Sequence, residues 1–289
     1  QRINVRYGFI QVEQKAYPVT LLCEVMQVSR SGYYRYCKAA VSERAKEDIQ
    51  LITELKALAQ ISNNSYGNRQ MTKNLQAKGY EIGRYKVRRL MKQAGIVCKQ
   101  RKAFRVTTDS NHSLPIAKNV LNREFTVSVP NCAWVTDITY LQTLEGWLYV
   151  AAVLDLFSRR IVGWAMEGHM RESLVQDALM MALQRRQPDE GLLHHSDEGK
   201  QYASGDYQQL LADANITVSM SRKANCWDNA VMERFWGSLK SERTDGQIYR
   251  TRELAKADVI DYIEMFYNCK RLHSTLGYLS PAQFESRVS

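Results

Sequence analysis

The sequence predicts an α/β fold with a mixed five-stranded sheet, preceded by a helical and basic region. From about residue 131, apolar segments of strand length alternate with segments of helical period. The first third of the chain instead shows helical period with many Lys and Arg residues. A length of 289 residues with 45% hydrophobic residues suits an ordinary globular protein of two domains, or of one large domain with an extension.

The charge of the chain indicates the class of partner. Lys and Arg number 40 against 30 Asp and Glu, which gives a net charge of +10. A polyanion, above all nucleic acid, is therefore the favoured partner, although some globular proteins are basic without such a role. No stretch approaches the roughly 20 apolar residues of a membrane span.

The six cysteines are widely scattered and form neither a C-x-x-C pair nor a cluster with zinc-site spacing. Reduced thiols in a cytosolic protein fit this distribution best. The chain starts at Gln1 without an initiator Met or a signal-peptide core. We therefore expect a trimmed chain or the downstream part of a longer translation product.

The first predicted domain, residues 1–62, contains a possible helix-turn-helix and a connecting helix. An apolar helical face over 17–26 is followed by the run VSRSGYY (28–34), which supplies a turn and a second short helix. This is the outline of a helix-turn-helix, and a plain αα-hairpin fits equally well. A longer helix is expected over 42–61.

The second predicted domain, residues 63–106, has the same outline with a much stronger charge signal. Helices are expected through Leu75 and from about 85 to 94, and Gly95 closes the second one. Glu81 is the only acid between Arg69 and Arg105. Because a solvated helical face normally mixes signs, this stretch favours phosphate contact. The residues predicted to bind DNA here are Arg69, Lys73, Arg84, Lys86, Arg88, Arg89, Lys92, Lys99, Arg101, Lys102 and Arg105.

A polar segment, residues 107–130, reads as a linker to the α/β domain at 131–245. Short turns join its first three strands, which should pair as an antiparallel meander. Alternating helix and strand then predict a mixed sheet with helices on its faces. The expected strands are 133–142, 146–155, 160–166, 191–195 and 216–220, and the expected helices are 172–186, 206–214 and 229–243. A final part, residues 246–289, carries a long helix over 252–272 and a tail.

Three acidic residues stand out within this outline: Asp137, Asp197 and Glu233. Asp137 lies inside a strand and Asp197 just after one, and Glu233 lies on a helix. If the first and fourth strands are neighbours, the aspartates emerge at one site and the helix adds Glu233. Three such carboxylates can hold two divalent ions for in-line phosphoryl transfer, and Mg²⁺ suits this ligand set. Taken singly, each acid is more often an ordinary acceptor or a surface group.

Several neighbours could support such a site. His194 and His195 precede Asp197 and either support the site or only cap the strand end. Lys240 lies two helical turns after Glu233, where it is a phosphate contact or a surface lysine.

A polar loop precedes the glutamate helix and is well placed to handle DNA. It contributes Arg222 and Lys223 as DNA contacts and Trp227 as a supporting residue. Asp228 is expected to cap the helix together with Asn229, and Asn229 is also counted as a supporting residue. Asp155, at the end of the second strand, is the main rival carboxylate.

At this point a family resemblance emerges. Three runs carry it: WVTDITY (134–140), HHSD (194–197) with Gly199, and WDNA (227–230) with Glu233 and Lys240. Residues 198–232 separate the second Asp from the Glu. With this spacing, the three runs resemble the catalytic OrfB subunit of insertion-sequence transposases. These belong to the two-frame bacterial DDE family related to retroviral integrases. The resemblance extends over nearly the whole chain, and Glu198 and Lys200 depart from the usual pattern.

The resemblance implies an RNase H-like, retroviral integrase-type catalytic core over 131–245. It implies that Asp137, Asp197 and Glu233 are catalytic and bind two Mg²⁺ or Mn²⁺ ions. It also implies recognition of terminal inverted repeats in double-stranded DNA, 3′-end cleavage and transfer into target DNA. The implied partners are further copies of this chain, as a dimer or higher oligomer, and an upstream-frame OrfA protein or fusion. The implied location is the nucleoid in the bacterial cytoplasm.

Two alternatives remain open at this stage. One is a nuclease on the same fold, of RNase H or junction-resolving type. The long basic helical region argues against it, since such nucleases need little recognition of DNA ends. The other is a non-catalytic DNA-binding derivative, which the presence of all three carboxylates disfavours.

Overall fold

The computed structural model describes residues 3–38, 42–99, 114–222 and 226–288. The chain divides into two compact units, residues 1–56 and 57–289. Within the described ranges no helix is both long and apolar enough to cross a membrane.

The first unit is built around three short helices. These are α1 (Ile3–Glu13), α2 (Val19–Val25) and α3 (Arg30–Lys38), and α4 (Glu43–Ile61) follows. The core of the three helices contains Tyr7, Ile10, Leu22 and Tyr33, all buried. The helix–turn–helix outline of α2 and α3 agrees with the sequence prediction, whereas α1 was not predicted.

The second helical pair opens the larger unit. Helices α5 (Asn68–Ala77) and α6 (Arg84–Gln93) pack against each other and bury Met71, Leu75 and Leu90. The C-terminal part of the chain holds this pair through Tyr66, whose hydroxyl donates to Lys270 O and accepts from Leu272 N, at 3.2 and 3.0 Å. The helical pair is therefore fixed to a defined part of the larger unit.

A five-stranded mixed sheet forms the centre of the larger unit, in the order β3-β2-β1-β4-β5. The first three strands are antiparallel, and β4 and β5 run parallel to β1. This is the RNase H-like, integrase-type arrangement that the sequence predicted. The strands are β1 (Ala133–Thr143), β2 (Gly146–Asp155), β3 (Ile161–Glu167), β4 (Leu193–Ser196) and β5 (Thr217–Met220).

Helices cover the sheet. Two lie before the glutamate-bearing helix: α7 (Glu172–Arg186), which packs on β2 and β3, and α8 (Gly205–Asp213). The glutamate-bearing helix, α9 (Ala230–Leu239), packs on β1 and continues as a π-helical turn, Lys240–Thr244. Because aromatic and aliphatic side chains of α7, α8 and the sheet are buried together, they fix the positions of the strand ends.

The C-terminal region differs from its prediction. The expected helix over 252–272 is α10 (Arg252–Ile260) followed by a π-helical stretch, Asp261–Tyr267. Asn268 follows, and its side chain accepts from Ile161 N and donates to Ile161 O, at 2.9 and 3.0 Å. The Asn268 side chain thus satisfies the backbone N–H and C=O of Ile161 at the edge of β3 that pairs with no other described strand. A last helix, α11 (Pro281–Val288), lies where a tail was expected.

Asp155, the main rival to the three acids in the sequence analysis, has a structural role. It is fully buried and accepts from the backbone N–H groups of Asn131 and Phe157 and from Arg186, at 3.2, 3.0 and 3.1 Å. Burial raises the pKa of Asp155, and these three donors act in the opposite direction. The carboxylate therefore ties the end of β2 to α7.

Residues 114–130, which belong to the predicted linker, contain neither helix nor strand. They nevertheless bond to the sheet, because Val120 N and Leu121 N donate to the Ser219 hydroxyl on β5, at 2.9 and 3.1 Å. Leu121 is buried.

The close approach of β3 and α7 predicts that Gly163 tolerates no side chain. A Cβ at this position would lie 2.2 Å from Ala178 O and 2.7 Å from Ala182 N, both in the backbone of α7. We expect Gly163→Ala to lower the free energy of unfolding by about 1–3 kcal/mol in urea titrations, because the helix must move. Gly205→Ala is the matched control: a Cβ there meets nothing within 4 Å, and we expect a change within about 0.5 kcal/mol. Equal stability of the two variants would contradict this packing.

Candidate active site

The pairing of β1 with β4 brings two of the three acids together. Ala133 pairs with Leu193 and Val135 with His195, in parallel. Continued by two residues, this register sets Asp137 level with Asp197, just past the end of β4. Because paired residues on neighbouring strands point to the same side of a sheet, both carboxylates emerge on one face.

Asp137 is half-buried and held by two donors. Its Oδ1 accepts from Ile138 N at 2.8 Å, and its Oδ2 accepts from the indole N–H of Trp236 at 3.1 Å. Burial raises the pKa of Asp137 well above its ordinary value, and the charge of Asp197 raises it further, with a smaller contribution from Glu233. Asp137 is therefore repelled by Asp197 and more weakly by Glu233, and a bound cation would relieve this repulsion.

Asp197 is positioned by the turn that follows β4. Its Oδ1 accepts from Gly199 N at 2.9 Å. A Cβ on Gly199 would lie 2.8 Å from the same oxygen. The turn can close on the carboxylate in this way because residue 199 has no side chain.

Glu233 faces this pair from α9. The start of the helix is attached to β1, since the Asn229 amide donates to Thr136 O at 2.9 Å. One turn beyond Glu233, Trp236 bonds to Asp137. Glu233 thus lies on the helix face between two anchors to β1, and burial raises its pKa.

The three acids do not form a closed cage. Among the described residues, no three His, Cys, Asp or Glu side chains stand together as a set that could hold a metal ion. Asp137 and Asp197 are brought together, and Glu233 lies on the facing helix. This donor set of hard carboxylate oxygens, partly desolvated and mutually repelling, fits Mg²⁺ or Mn²⁺.

Lys240 lies on the same side of α9 and next to the sheet. Its ammonium is 5.3 Å from the centroid of the Tyr140 ring. Burial lowers its pKa, while the charges of Asp245 and Asp137 oppose that shift. The cation is therefore near the acidic pair.

His194 and His195 are core groups. His194 Nε2 bonds to the Tyr207 hydroxyl at 3.1 Å, and burial lowers its pKa to about 3. The ring of His195 lies between the hydroxyls of Ser219 and Ser221, at 2.8 and 3.3 Å, and burial lowers its pKa to about 4. Both are neutral at pH 7 and fix β4 in the sheet, so any support they give to Asp197 is through its strand.

The loop before α9 differs from its prediction at Asp228. This carboxylate is fully buried and caps no helix: it accepts from Arg222 at 2.9 and 3.0 Å and from Arg123 at 2.7 Å. These donors hold its pKa well below the ordinary value, the bond from Arg222 being the largest cause. Asn229 occupies the cap position of α9 without a side-chain capping bond. The guanidinium of Arg222, predicted to contact DNA, is thus engaged by Asp228.

The basic residues of the second helical pair cover one side of α6. Val87, Leu90 and Met91 are buried, so the basic side chains occupy the remaining surface. Lys86 is half-buried, whereas the others in the described ranges are exposed: Arg69 and Lys73 on α5, Arg84, Arg88, Arg89 and Lys92 on α6, and Lys99 beyond it. Arg101, Lys102, Arg105 and Lys223 lie outside the described residues, and so does the Trp227 side chain.

Sequence reasoning missed two residues that hold the acids, Trp236 and Gly199. Trp236 follows Glu233 by three positions, which places an indole N–H on the same helix face. Gly199 had been noted only as part of a motif. The spacing of Trp236 was a usable signal, whereas the close approach of Gly199 depends on the folded turn.

Comparisons with known proteins agree with this architecture. Integrase core domain families match residues 128–226 and 233–288, and an HTH-like domain family matches residues 45–104.

Two relatives match nearly the whole chain. The insertion element IS600 uncharacterized 31 kDa protein of Shigella sonnei is 43% identical over 266 residues, covering 92% of this chain and 98% of the relative. Transposase InsF for insertion sequence IS3A of Escherichia coli (strain K12) is 39% identical over 285 residues, covering 98% and 99%.

The solved structures that match are more distant in sequence. A simian T-cell lymphotropic virus intasome in complex with PP2A regulatory subunit B56 gamma matches at 14% identity and a TM-score of 0.45, over 80% of this chain and 74% of that chain. The HTLV-2 integrase catalytic core domain in complex with magnesium, in its trimeric form, matches at 15% identity and 0.42, over 54% and 97%.

The full-length relatives and the matched domains, together with the sheet order, give one assignment. The chain belongs to the IS3 family of insertion-sequence transposases, with an integrase core of RNase H-like fold preceded by an HTH-like helical region.

Proposed function

We propose that the chain is a DDE polynucleotidyl transferase that cleaves the 3′ ends of its insertion sequence and joins them to target DNA. Asp137, Asp197 and Glu233 are its catalytic residues. The observation that carries the proposal is the approach of Asp137, within β1, to Asp197, just past the end of the parallel neighbour β4, with Glu233 on the facing helix.

The three carboxylates would hold two Mg²⁺ or Mn²⁺ ions. Such ions would supply the activation of a water or 3′-hydroxyl nucleophile and the stabilisation of the leaving oxygen in an in-line displacement. The protein prepares the ligands: Ile138 N and Trp236 orient Asp137, and Gly199 N orients Asp197. Lys240, beside the acids, binds the phosphate that flanks the reacting one.

The remaining parts of the proposal concern partners and domains. The helical pair within 63–106 binds the terminal inverted repeats, and the core at 131–245 reacts with them. Two element ends must meet, so the active form is a dimer or larger, and an upstream-frame OrfA product joins it on DNA of the bacterial nucleoid. The first helix-turn-helix and its connecting helix occupy residues 1–62. The linker occupies residues 107–130, and residues 246–289 support the core from the C-terminal side.

The catalytic assignment predicts loss of both reactions without loss of DNA binding. We expect Asp137→Asn, Asp197→Asn and Glu233→Gln each to reduce 3′-end cleavage and strand transfer at least about 1,000-fold, a change of about 4 kcal/mol in activation free energy. The assay uses a labelled duplex carrying the terminal inverted repeat of the element, with Mg²⁺.

Glu190→Gln is the matched control, because it removes an exposed acid of the same unit, and it should keep full activity. Strand transfer by any of the three variants at the wild-type rate would refute the assignment. Cleavage by the wild-type protein without transfer would instead indicate a nuclease, and binding without cleavage would indicate a non-catalytic derivative.

The raised pKa of Asp137 predicts a pH dependence of stability in the metal-free protein. Since its folded pKa lies above its unfolded pKa, the folded state binds the proton more tightly. The free energy of unfolding should therefore fall as pH rises from the unfolded pKa, about 3.9, through the folded pKa. Asp137→Asn should flatten this fall in urea titrations between about pH 4 and pH 7. An unchanged pH profile would show that Asp137 ionises without penalty.

The same variant separates metal binding from activity. Mn²⁺ at about 100 times its dissociation constant should stabilise the wild-type protein by about 2.7 kcal/mol, seen as a higher Tm. We expect no such rise for Asp137→Asn, and a full rise for Glu190→Gln. A metal-induced rise that survives in Asp137→Asn would place the metal elsewhere.

The basic side of α6 predicts a measurable share of DNA binding. Arg88 and Lys92 are exposed and lie one turn apart. If each contacts a phosphate, the double variant Arg88→Gln/Lys92→Gln should reduce the slope of log affinity against log salt on duplex DNA by about 1.8. The double variant Arg250→Gln/Arg287→Gln removes equal charge from exposed positions and should change the slope little. Equal slopes for the two double variants would contradict the role of α6.

A further inference from the structure

A cleft of about 560 Å³ lies on the other side of α9 from the acids. Glu233, Trp236 and Lys240 belong to the helix face that turns to the sheet. The α9 residues that line the cleft occupy the opposite face at 3.6 residues per turn: Ala230, Val231, Arg234, Phe235 and Ser238. The remaining walls come from α5, from the segment around Phe125, from Arg159 in the turn between β2 and β3, and from residues 267–278. The cleft is thus a separate site that shares a helix with the proposed catalytic centre.

Guanidinium groups dominate the charge of this cleft. Its lining includes Arg69, Arg159, Arg234 and Arg271, and none of the described lining residues is Asp or Glu. The pKa of His273, which also lines the cleft, is lowered to about 3, first by burial and then by three guanidinium groups, those of Arg271, Arg159 and Arg234. These three cations therefore converge on one place.

Within the described ranges, one of the four arginines, Arg271, is paired with a carboxylate, and two others, Arg69 and Arg234, are not. Arg271 forms a buried, two-pronged pair with Glu242, at 3.1 and 2.7 Å to Oε1. In the described part of the chain, Arg69 and Arg234 have no ion-pair partner. Such an uncompensated group of cations in a concave site attracts an anion.

Arg159 gives further evidence that the cleft is a binding site. It has a φ of 60°, a left-handed conformation that is unusual for a residue with a side chain. Its NH2 donates to Phe125 O at 2.8 Å, whereas its NH1 is buried and has no acceptor among the described residues. An unsatisfied buried guanidinium nitrogen is costly, so the chain holds this cation beside the cleft against the ordinary cost of its burial.

Aromatic side chains supply the second half of a nucleotide site. Phe125 and Tyr278 are half-buried and line the cleft, and Tyr267 packs edge-on against His273 with ring centroids 4.9 Å apart. Arginines bind phosphate oxygens, and aromatic faces stack on bases. In a duplex the base faces are already stacked on one another, so rings lining a cleft are useful only to an unpaired base.

We propose that this cleft binds an unpaired nucleotide of a DNA strand, with its phosphate on Arg69, Arg159 and Arg234 and its base against Phe125 and Tyr278. The proposal rests on the proposed function for its substrate, DNA. It goes beyond it in assigning a second nucleic-acid site, on the face of α9 opposite the carboxylates. A strand with an unpaired end or gap beside the reacting phosphate would occupy both.

The test measures binding without divalent metal, so that catalysis plays no part. Three fluorescent probes are used: single-stranded oligodeoxythymidine of about ten nucleotides, a strand of the same length without bases, and a blunt duplex. We expect Arg69→Gln/Arg234→Gln to raise the Kd for the oligodeoxythymidine about tenfold or more, and to reduce the salt slope by about 1.4. Both arginines are exposed, so the variant should fold normally, as its Tm will report.

The controls address charge, folding and the base. Arg250→Gln/Arg287→Gln removes the same charge away from the cleft and should change the Kd less than about twofold. Thr275→Glu, an exposed position in the cleft lining, should weaken binding by adding repulsion without removing a contact. The wild-type protein should bind the strand without bases about tenfold more weakly than the oligodeoxythymidine, because stacking is lost. On the duplex, Thr275→Glu, which leaves Arg69 in place for the helical pair, should change the Kd less than about threefold.

Three results would overturn the cleft assignment while leaving transposition intact. They are equal losses in the cleft and control variants, equal wild-type affinity with and without bases, and, for Thr275→Glu, a loss on the duplex equal to that on the oligodeoxythymidine. If the wild-type protein binds none of the three probes, both the cleft assignment and the proposed function are refuted. Strand-transfer assays on the same preparations separate these cases.

Discussion

The parallel pairing of β1 with β4 is the constraint on which the rest of the proposed site depends. It joins two strands that lie about sixty residues apart in the chain, and it sets Asp137 beside Asp197. Neighbouring contacts stabilise the strands around this pairing. His195 and the hydroxyls of Ser219 and Ser221 fix β4 to β5, and Asp155 fixes the end of β2 to α7. A shift of one residue in the register would turn one aspartate to the other face and separate the pair.

The position of α9 follows from the same pairing. Asn229 and Trp236 attach the helix to β1 at Thr136 and Asp137, so its sheet side carries Glu233 and Lys240. Its other side then necessarily faces the C-terminal segment and α5, where Arg234 meets Arg159 and Arg69. A single helix thus separates a carboxylate face from a guanidinium face. This opposition of charge allows metal ligands and phosphate ligands to lie close together without forming ion pairs with one another.

Most of the fold could be predicted from the sequence, because strand length, helical period and turn residues are local; the role of the three acids stays a prediction. The missing parts depend on tertiary contacts. Helix α1 exposes Ile3, Val5 and Phe9, so it has no clear apolar face. The predicted helix over 252–272 stops where Asn268 bonds to β3, which its sequence does not signal. The Asp228 carboxylate was expected to cap a helix, but Arg222 and Arg123 engage it. The cleft brings together residues between Arg69 and Tyr278 that are far apart in the sequence, so no local sequence pattern predicts it.

The arginines fall into two groups according to their partners. Some pair with buried carboxylates and maintain the fold, and others line the cleft that we propose for DNA. Arg271 binds Glu242, Arg186 binds Asp155 and Glu285, and Arg222 binds Asp228; the carboxylate of each pair is buried or nearly so. Removing one partner of such a pair leaves an uncompensated charge, so these arginines are structural. The guanidinium groups of Arg69, Arg159 and Arg234 converge instead where the described lining has no acid. Their mutual repulsion opposes folding, just as the repulsion of Asp137 and Asp197 does. Each cluster therefore carries an electrostatic penalty. Under the two proposals, a bound cation would relieve the penalty at the aspartates and a bound phosphate the penalty at the arginines.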